Sequence, residues 1–467
     1  MGGCYQNNQI IQLFKNQMCM KKILFIVACV IVAVTAGAVV KPGVEVLRDG
    51  GFAQLQGKRV GLVTNPSGID NNLKSTVDIL NEAPGVKLVA LFGPEHGVRG
   101  NAHAGDAVGD AVDPLTGIKM YSLFGKTHEP TAEMLKDIDV LVYDIQDVGC
   151  RSYTFYATMG VCMEACAKYD TEFMVLDRPN PLGGNKVEGN LVEDGYFSFV
   201  SKYSIPYIYG LTPGELAKFL NGEGIIAERS KTGHGCKLTV IPMEGWNRDM
   251  KFRDTGMPWV APSPQIPTPE SAFFYPVSGI LGELYIFNTG IGYTLPFQTF
   301  AASWINADSL AMRMNALNLP GMKFRPINYK PFFALSVAVD KSLQEVHGVQ
   351  TYITDLDAAD LCLTQFYFLQ VIHEMYPDVE LFEQNPKRYA MFDKVCGSKE
   401  IRERFIKRYK VADIADYWNK DAAGFVKRCH KYYIYKPALK DKMRINTLPA
   451  KSKMGQMKGS VVSKDKD

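Results

Sequence analysis

The sequence predicts an α/β protein: a parallel sheet covered by helices on both faces, followed by a smaller α+β part. Three observations carry this reading. From Lys58 onward apolar runs alternate with helical patterns. The runs are near-continuous, as in strands buried on both faces, rather than alternating. The chain has 467 residues, more than one ordinary core holds, so two domains are expected.

The first run, KRVGLV, ends at Thr64-Asn65-Pro66, and a helix is expected over LKSTVDILNE. VKLVALF is the second strand and stops at Gly93-Pro94-Glu95. DVLVYDI is the third and breaks at Gln146-Asp147-Val148-Gly149. A long helix over 154–169 leads to EFMVLD, which ends at Arg178-Pro179-Asn180. TPGELAKFLN reads as a helix with Pro213 in its first turn, where the missing N–H costs nothing; KLTVIPM is a further strand. The proline-rich PWVAPSPQIPTPE changes the texture, and the division is placed there: 39–270 for the sheet domain and 271–436 for an α+β domain with strands at ALSVAVD and VQTYITD. Residues 437–467 are Lys-rich without apolar period and read as a disordered tail.

Residues 1–38 have another character. Met20 is followed by Lys21 and Lys22, an apolar run (ILFIVACVIVAV) and a small-residue site at Ala36-Gly37-Ala38. This is the order of an export signal, which makes residues 1–19 the product of an upstream start. A periplasmic or extracellular location is expected, with a membrane partner only if the segment is retained or lipidated at Cys29. The net charge of +3, partly in the tail, gives no field for nucleic acid. Of ten cysteines, Cys4, Cys19 and Cys29 precede the mature chain. Cys162 and Cys166, one helical turn apart, read as buried small hydrophobes, and no cysteine pair has zinc spacing.

Ligands of open parallel sheets bind beyond the carboxyl ends of the strands, so the residues found there are the candidate site. They are Asn65; Glu95, His96 and Arg99; Asp144, Gln146, Asp147 and Arg151; and Asp177, Arg178 and Asn180. No dinucleotide fingerprint, P-loop or nucleophile elbow accompanies them, and no cofactor is expected. Carboxylates with arginines suit general acid/base work on a substrate that is itself anionic. A metal at His96, His103 and Asp106 is chemically possible, but the spacing matches no established motif, and none is expected.

The same loops carry a resemblance. GPEHGVRG, DPLTGIKMYSLFG, DIQDVGCRSYTF, VLDRPNPLGG and PSPQIP occur in order, as in the NamZ-type exo-β-N-acetylmuramidases, a glycoside hydrolase family formerly catalogued as a domain of unknown function. The resemblance covers roughly residues 45–436. It implies a Rossmann-like N-terminal domain, a cleft against the smaller domain, and release of N-acetylmuramic acid from non-reducing ends of peptidoglycan-derived saccharides. The chain departs from the family at GELYIFNTGIGYTLPF, where Ile291 stands in place of an arginine, and at Gln265, where the family has PSPN. Glu283 and Asn288 align with the family motif and become candidates for substrate contact.

Glycoside hydrolysis needs a carboxylic acid that protonates the leaving oxygen and a second carboxylate. Glu95, flanked by Phe92 and Pro94, is the expected acid; the plain alternative is a cap or an ion pair with Arg99. Asp144 and Asp147 are candidates for the second group, or cap the next helix. Arg99, Arg151 and Arg178 are candidates to read the lactyl carboxylate of muramic acid, since a guanidinium pairs bidentately; otherwise they pair with the nearby aspartates. Tyr153 and Tyr156 would stack on sugar or pack in the core. His96, Asn65, Gln146, Asp177 and Asn180 would bind hydroxyls or fix loops, and Trp246 and Trp259 read as packing. Two other functions stay open: a metal-assisted amidase or esterase of cell-wall material, and a surface carbohydrate-binding protein whose catalysis has lapsed.

Overall fold

The computed structural model describes residues 39–100, 111–332, 345–383 and 386–436. The export signal, the tail, His103, Asp106 and the ALSVAVD run lie outside the described residues.

Seven strands form the first sheet: β1 (Arg59–Thr64), β2 (Lys87–Gly93), β3 (Ala111–Val112), β4 (Lys119–Ser122), β5 (Val140–Asp144), β6 (Glu172–Leu176) and β7 (Lys237–Ile241). Their order is β3-β4-β2-β1-β5-β6-β7. Every pair is parallel except β3 with β4. The parallel α/β sheet expected from the apolar runs is present, with β1 and β5 at its centre and almost wholly buried. Strand β4, next to the edge strand β3, was not expected: KMYS is short and half-exposed, so it carries little of the apolar signal that marks the central strands.

Helix Phe155–Lys168 is buried from Phe155 to Ala167. A helix apolar all round must be covered on both sides, and this one packs on the sheet inside and on later chain outside. Cys162 and Cys166 lie in it as buried free thiols, as read from sequence. Helix Pro213–Gly222 begins with a capping box, Thr212 and Glu215 satisfying each other's backbone N–H groups, and has proline in its first turn.

A second, antiparallel sheet follows, with β8 (Thr299–Ala302), β9 (Met322–Tyr329) and β10 (Val346–Ile353) in the order β8-β10-β9. Pro326 is tolerated because β9 is an edge strand. Helices Ala307–Ala316 and Leu361–Met375 and several short helices complete this part. One hydrophobic cluster joins Phe92 and the helix at 155–168 to Phe366 and Trp418. The chain then returns to the first sheet, where Tyr435 donates its hydroxyl to Asp177 at 2.6 Å and packs edge-on against Trp246. No helix among the described residues is long and apolar enough to cross a membrane.

Candidate active site

Strand β2 runs directly into a tight turn. The Gly97 N–H donates to the Pro94 carbonyl at 2.9 Å, with Glu95 and His96 as the two corner residues. His96 has φ 73°, the positive angle required at the third position of a type II turn. A histidine there is backbone strain of the sort concentrated at functional sites. The turn folds back on its strand so closely that a Cβ on Gly93 would lie 2.9 Å from the Val98 nitrogen. Glu95 is thereby presented at a corner, half-buried, while His96 is 7% exposed. The Thr154 hydroxyl donates to Glu95 Oε2 at 3.3 Å.

Behind Glu95 stands an aromatic wall. Tyr153 meets Phe155 edge to face at 4.9 Å between centroids and Tyr275 at 5.4 Å. Tyr275 in turn meets Phe297 at 4.9 Å, so the wall crosses from the first half of the chain to the second. Ser152 Oγ links the hydroxyls of Tyr207, 2.7 Å, and Tyr275, 3.1 Å. The Tyr153 hydroxyl lies beside Ser263 without a hydrogen bond of good geometry. Burial raises its pKa, so it remains a neutral donor, and the charges of Asp147 and Glu95 both act on it.

Asp147 is 4% exposed. Its Oδ1 accepts from the Gly149 N–H at 2.8 Å and the Tyr209 hydroxyl at 2.9 Å, and its Oδ2 has no partner among the described residues. Burial, opposed by these bonds, pushes its carboxyl up to about 6. Asp144 is in the opposite condition. Arg178 donates to it through Nε at 2.5 Å and Nη2 at 3.0 Å, and Thr76 Oγ1 donates at 2.5 Å. Arg178 is itself 2% exposed, with Nη2 also on the Ile69 carbonyl. A buried pair closed in this way offers nothing to a substrate.

The crevice between β1 and β5, where the strand order reverses and ligands of such sheets usually sit, is filled by the protein's own polar groups. Asn65 donates to the Pro262 carbonyl and accepts from Ser67, and Ser67 Oγ accepts from the Gln146 N–H. Gln146 donates its amide to the carbonyls of Asp147 and Pro179. A Cβ on Gly68 would lie 2.2 Å from Thr64 Oγ1, which leaves no room there. Asp177 accepts from Thr212, Gly214, Tyr435 and the Arg178 N–H, and Asn180 bridges Leu182 and Leu211. These side chains, expected to meet substrate, are hydrogen-bonded to the protein's own groups.

Arg151 is fully buried and donates to four carbonyls, those of Asn190, Ile205, Val395 and Cys396; it staples the two halves of the chain and has no face toward a ligand. The Tyr156 hydroxyl accepts from the Lys202 N–H in the core. Arg99 pairs bidentately with Asp113 at 2.9 and 2.8 Å, not with Glu95. Asn288 shapes its loop, accepting from Gly290 and Tyr329. Glu283 is half-buried and paired with Arg388. Trp246 and Trp259 pack on Tyr435 and Phe252. Among the described residues no three His, Cys, Asp or Glu side chains are grouped to hold a metal ion.

Two family models match in succession: exo-β-N-acetylmuramidase NamZ, N-terminal, over residues 60–270, and its C-terminal counterpart over residues 273–435. The chain belongs to the NamZ family. It is 44% identical over 396 residues to the peptidoglycan β-N-acetylmuramidase NamZ of Bacillus subtilis (strain 168), covering 85% of this chain and 91% of that protein. It is similar to the crystal structure of a DUF1343 family protein from Bacteroides fragilis NCTC 9343, with TM-score 0.80, 55% identity, and coverage of 85% of this chain and 99% of that one. A second DUF1343 family protein of that organism gives TM-score 0.67 at 27% identity, over 86% and 100% of the two chains.

Within this NamZ-family frame, three partners of candidate residues escaped the sequence reading: Thr154 beside Glu95, Tyr275 beside Tyr153 and Arg388 beside Glu283. Thr154 lies between the candidates Tyr153 and Tyr156. Tyr275 sits in helix Pro269–Ser278, where an aromatic run gives no sign of which ring meets Tyr153. Arg388, whose guanidinium lies over the Tyr285 ring at 3.9 Å, is 105 residues from its partner Glu283 and left no local signal.

Proposed function

We propose that this chain is an exo-acting glycosidase that releases N-acetylmuramic acid from the non-reducing ends of peptidoglycan fragments, with Glu95 as general acid. The observation that carries the reading is the presentation of Glu95: a carboxyl at the corner of a strained turn, at a strand's carboxyl end, against a wall of tyrosines. Membership of the NamZ family supports the substrate class.

In this reading Glu95 protonates the glycosidic oxygen as its bond to the anomeric carbon breaks, the sugar acquires oxocarbenium character, and water adds to the anomeric carbon and gives up a proton to complete hydrolysis. Tyr153 and Tyr275 form the surface against which it develops. Asp147, not Asp144, is the second carboxyl, because Asp144 is closed by Arg178 and Thr76 while Asp147 keeps an oxygen without a partner among the described residues. Once ionised, Asp147 sets a negative field behind Tyr153, whose hydroxyl responds to both carboxylates. Export, motivated by the Met20–Ala38 pattern, puts the enzyme where peptidoglycan is; N-terminal sequencing of the cell-envelope form tests it.

Product analysis on defined muropeptides tests the function. Free N-acetylmuramic acid released stepwise from the non-reducing end is expected. Peptide release with intact glycan would overturn the reading in favour of an amidase, and tight binding without turnover would favour a lapsed carbohydrate-binding protein.

A further inference from the structure

Strand β4 ends beside the candidate acid. It runs parallel to β2 with Ser122 in register with Gly93, so the two strands deliver their next residues to the same edge of the sheet, about 5 Å apart. The Leu123 N–H donates to the Gly93 carbonyl at 2.8 Å, and the Phe92 and Tyr121 rings meet at 5.2 Å. The loop after β4 therefore leaves the sheet bonded to the residue two positions before Glu95. The order β4-β2-β1-β5 sets the Glu95 turn between this loop on one side and, on the other, the chain after β5 that carries Tyr153 and Thr154.

Two hydroxyls shape the loop. Ser122 Oγ donates to the Phe124 carbonyl at 2.8 Å and accepts from the Phe124 N–H at 3.1 Å, and Thr127 Oγ1 serves Glu129 in the same way at 2.7 and 3.1 Å. His128 Nδ1 lies 3.2 Å from the Leu123 carbonyl. A carbonyl only accepts, so Nδ1 carries the hydrogen and the neutral ring keeps a lone pair on Nε2. Nε2 has no partner among the described residues and is not sealed from solvent. The imidazole stacks on Phe199, 4.2 Å between centroids and 26° between planes, and meets Phe124 edge-on at 5.5 Å. All three rings are half-buried, so the packing fixes the imidazole and still leaves aromatic surface open.

We propose that His128 binds the leaving-group sugar, the N-acetylglucosamine residue from which muramic acid is released. Nε2 accepts from a hydroxyl or the acetamido N–H of that sugar, and Phe124 and Phe199 meet its apolar C–H face. The proposal rests on the muramidase reading and adds to it the site of the second sugar. A general acid protonates the oxygen that joins two sugars, so one sugar lies on each side of it. With the muramic acid ring against the tyrosines, the leaving sugar falls toward the end of β4. A fixed polar group among aromatic rings is the usual make-up of a small-molecule site. An imidazole already held by stacking loses little freedom when the sugar arrives.

The test uses the full chain and two substrates that share the muramic acid ring. One is the disaccharide of N-acetylmuramic acid linked to N-acetylglucosamine; the other is N-acetylmuramosyl fluoride, whose leaving group is a single atom and cannot reach the loop. His128→Asn keeps an amide near the position of Nδ1 for the Leu123 carbonyl and lacks the outer nitrogen. Its kcat/KM for the disaccharide should fall by about 3- to 10-fold, the scale of one neutral hydrogen bond, mainly through KM, with the fluoride turned over as by wild type. His128→Gln, whose amide reaches the position of Nε2, should recover part of the loss. Phe199→Leu keeps apolar volume without the stacked ring and should give the same split; it carries the test if neither His128 variant folds. An unchanged disaccharide kcat/KM, or equal losses on both substrates, in the variants that fold would overturn the role of His128 and leave the muramidase reading standing. A wild-type protein that cleaves neither substrate and no muropeptide would overturn the parent reading instead.

Discussion

The Thr154 hydroxyl donates to Glu95 Oε2 across 3.3 Å, joining the first residues of a fully buried helix to the corner of the turn that ends β2. The contact ties the candidate acid to a helix buried from Phe155 to Ala167. Thr154→Val keeps the shape and removes the donor. The expected result is a kcat lower by about 3- to 10-fold, the scale of one neutral hydrogen bond, with an unchanged melting temperature. A kcat equal to wild type would show that the contact does not position Glu95.

Asp144 and Arg178 are assigned to the framework, and stability rather than KM should report it. Removing either partner leaves a buried charge uncompensated, so Asp144→Asn or Arg178→Met should each cost about 3–5 kcal/mol. The double variant Asp144→Leu/Arg178→Met should cost less than the two singles combined. Urea denaturation of the four proteins decides this. An Asp144→Asn protein that unfolds like wild type but is inactive would return Asp144 to the catalytic site.

The buried Asp147 carboxyl, pushed up to about 6 by burial, gives a pH dependence of defined sign. Its folded pKa lies above the unfolded value of about 4, so its contribution to stability is full below about pH 4 and is lost as pH rises through about 6. Asp147→Asn removes this titration while its amide oxygen still accepts from Gly149 and Tyr209. Relative to wild type, the variant should therefore fare better at pH 7.5 than at pH 4.5, by at most about 3 kcal/mol. Parallel stability curves would contradict the assignment. If ionised Asp147 also supports catalysis, wild-type kcat should fall as pH drops below about 6.

A carboxylic-acid mechanism requires no metal, so EDTA should leave muropeptide cleavage unchanged. Loss of activity restored by zinc would favour the metal-assisted amidase alternative.

The sequence made the central strands legible because their apolar runs are continuous and each ends in a polar residue beside Gly or Pro. It could not tell which of those polar ends face a ligand. Asp144 and Arg178 stand on different strand ends 34 residues apart, and nothing local says that they neutralise each other. Arg151 looked like a substrate arginine because an exposed and a buried guanidinium read alike in a sequence; its four carbonyl partners come from three distant segments. The position of Glu95 at a strand end was legible for the opposite reason. The features that expose it, Pro94, Gly97 and a strand end, are all local.

The most direct measurement is the turnover of a chromogenic N-acetylmuramoside by Glu95→Gln, on protein whose circular dichroism and melting temperature match wild type. The account expects kcat to fall by about 10²- to 10⁴-fold, the contribution of a general acid, with KM little changed. A folded Glu95→Gln protein that releases the chromophore at the wild-type rate would contradict it.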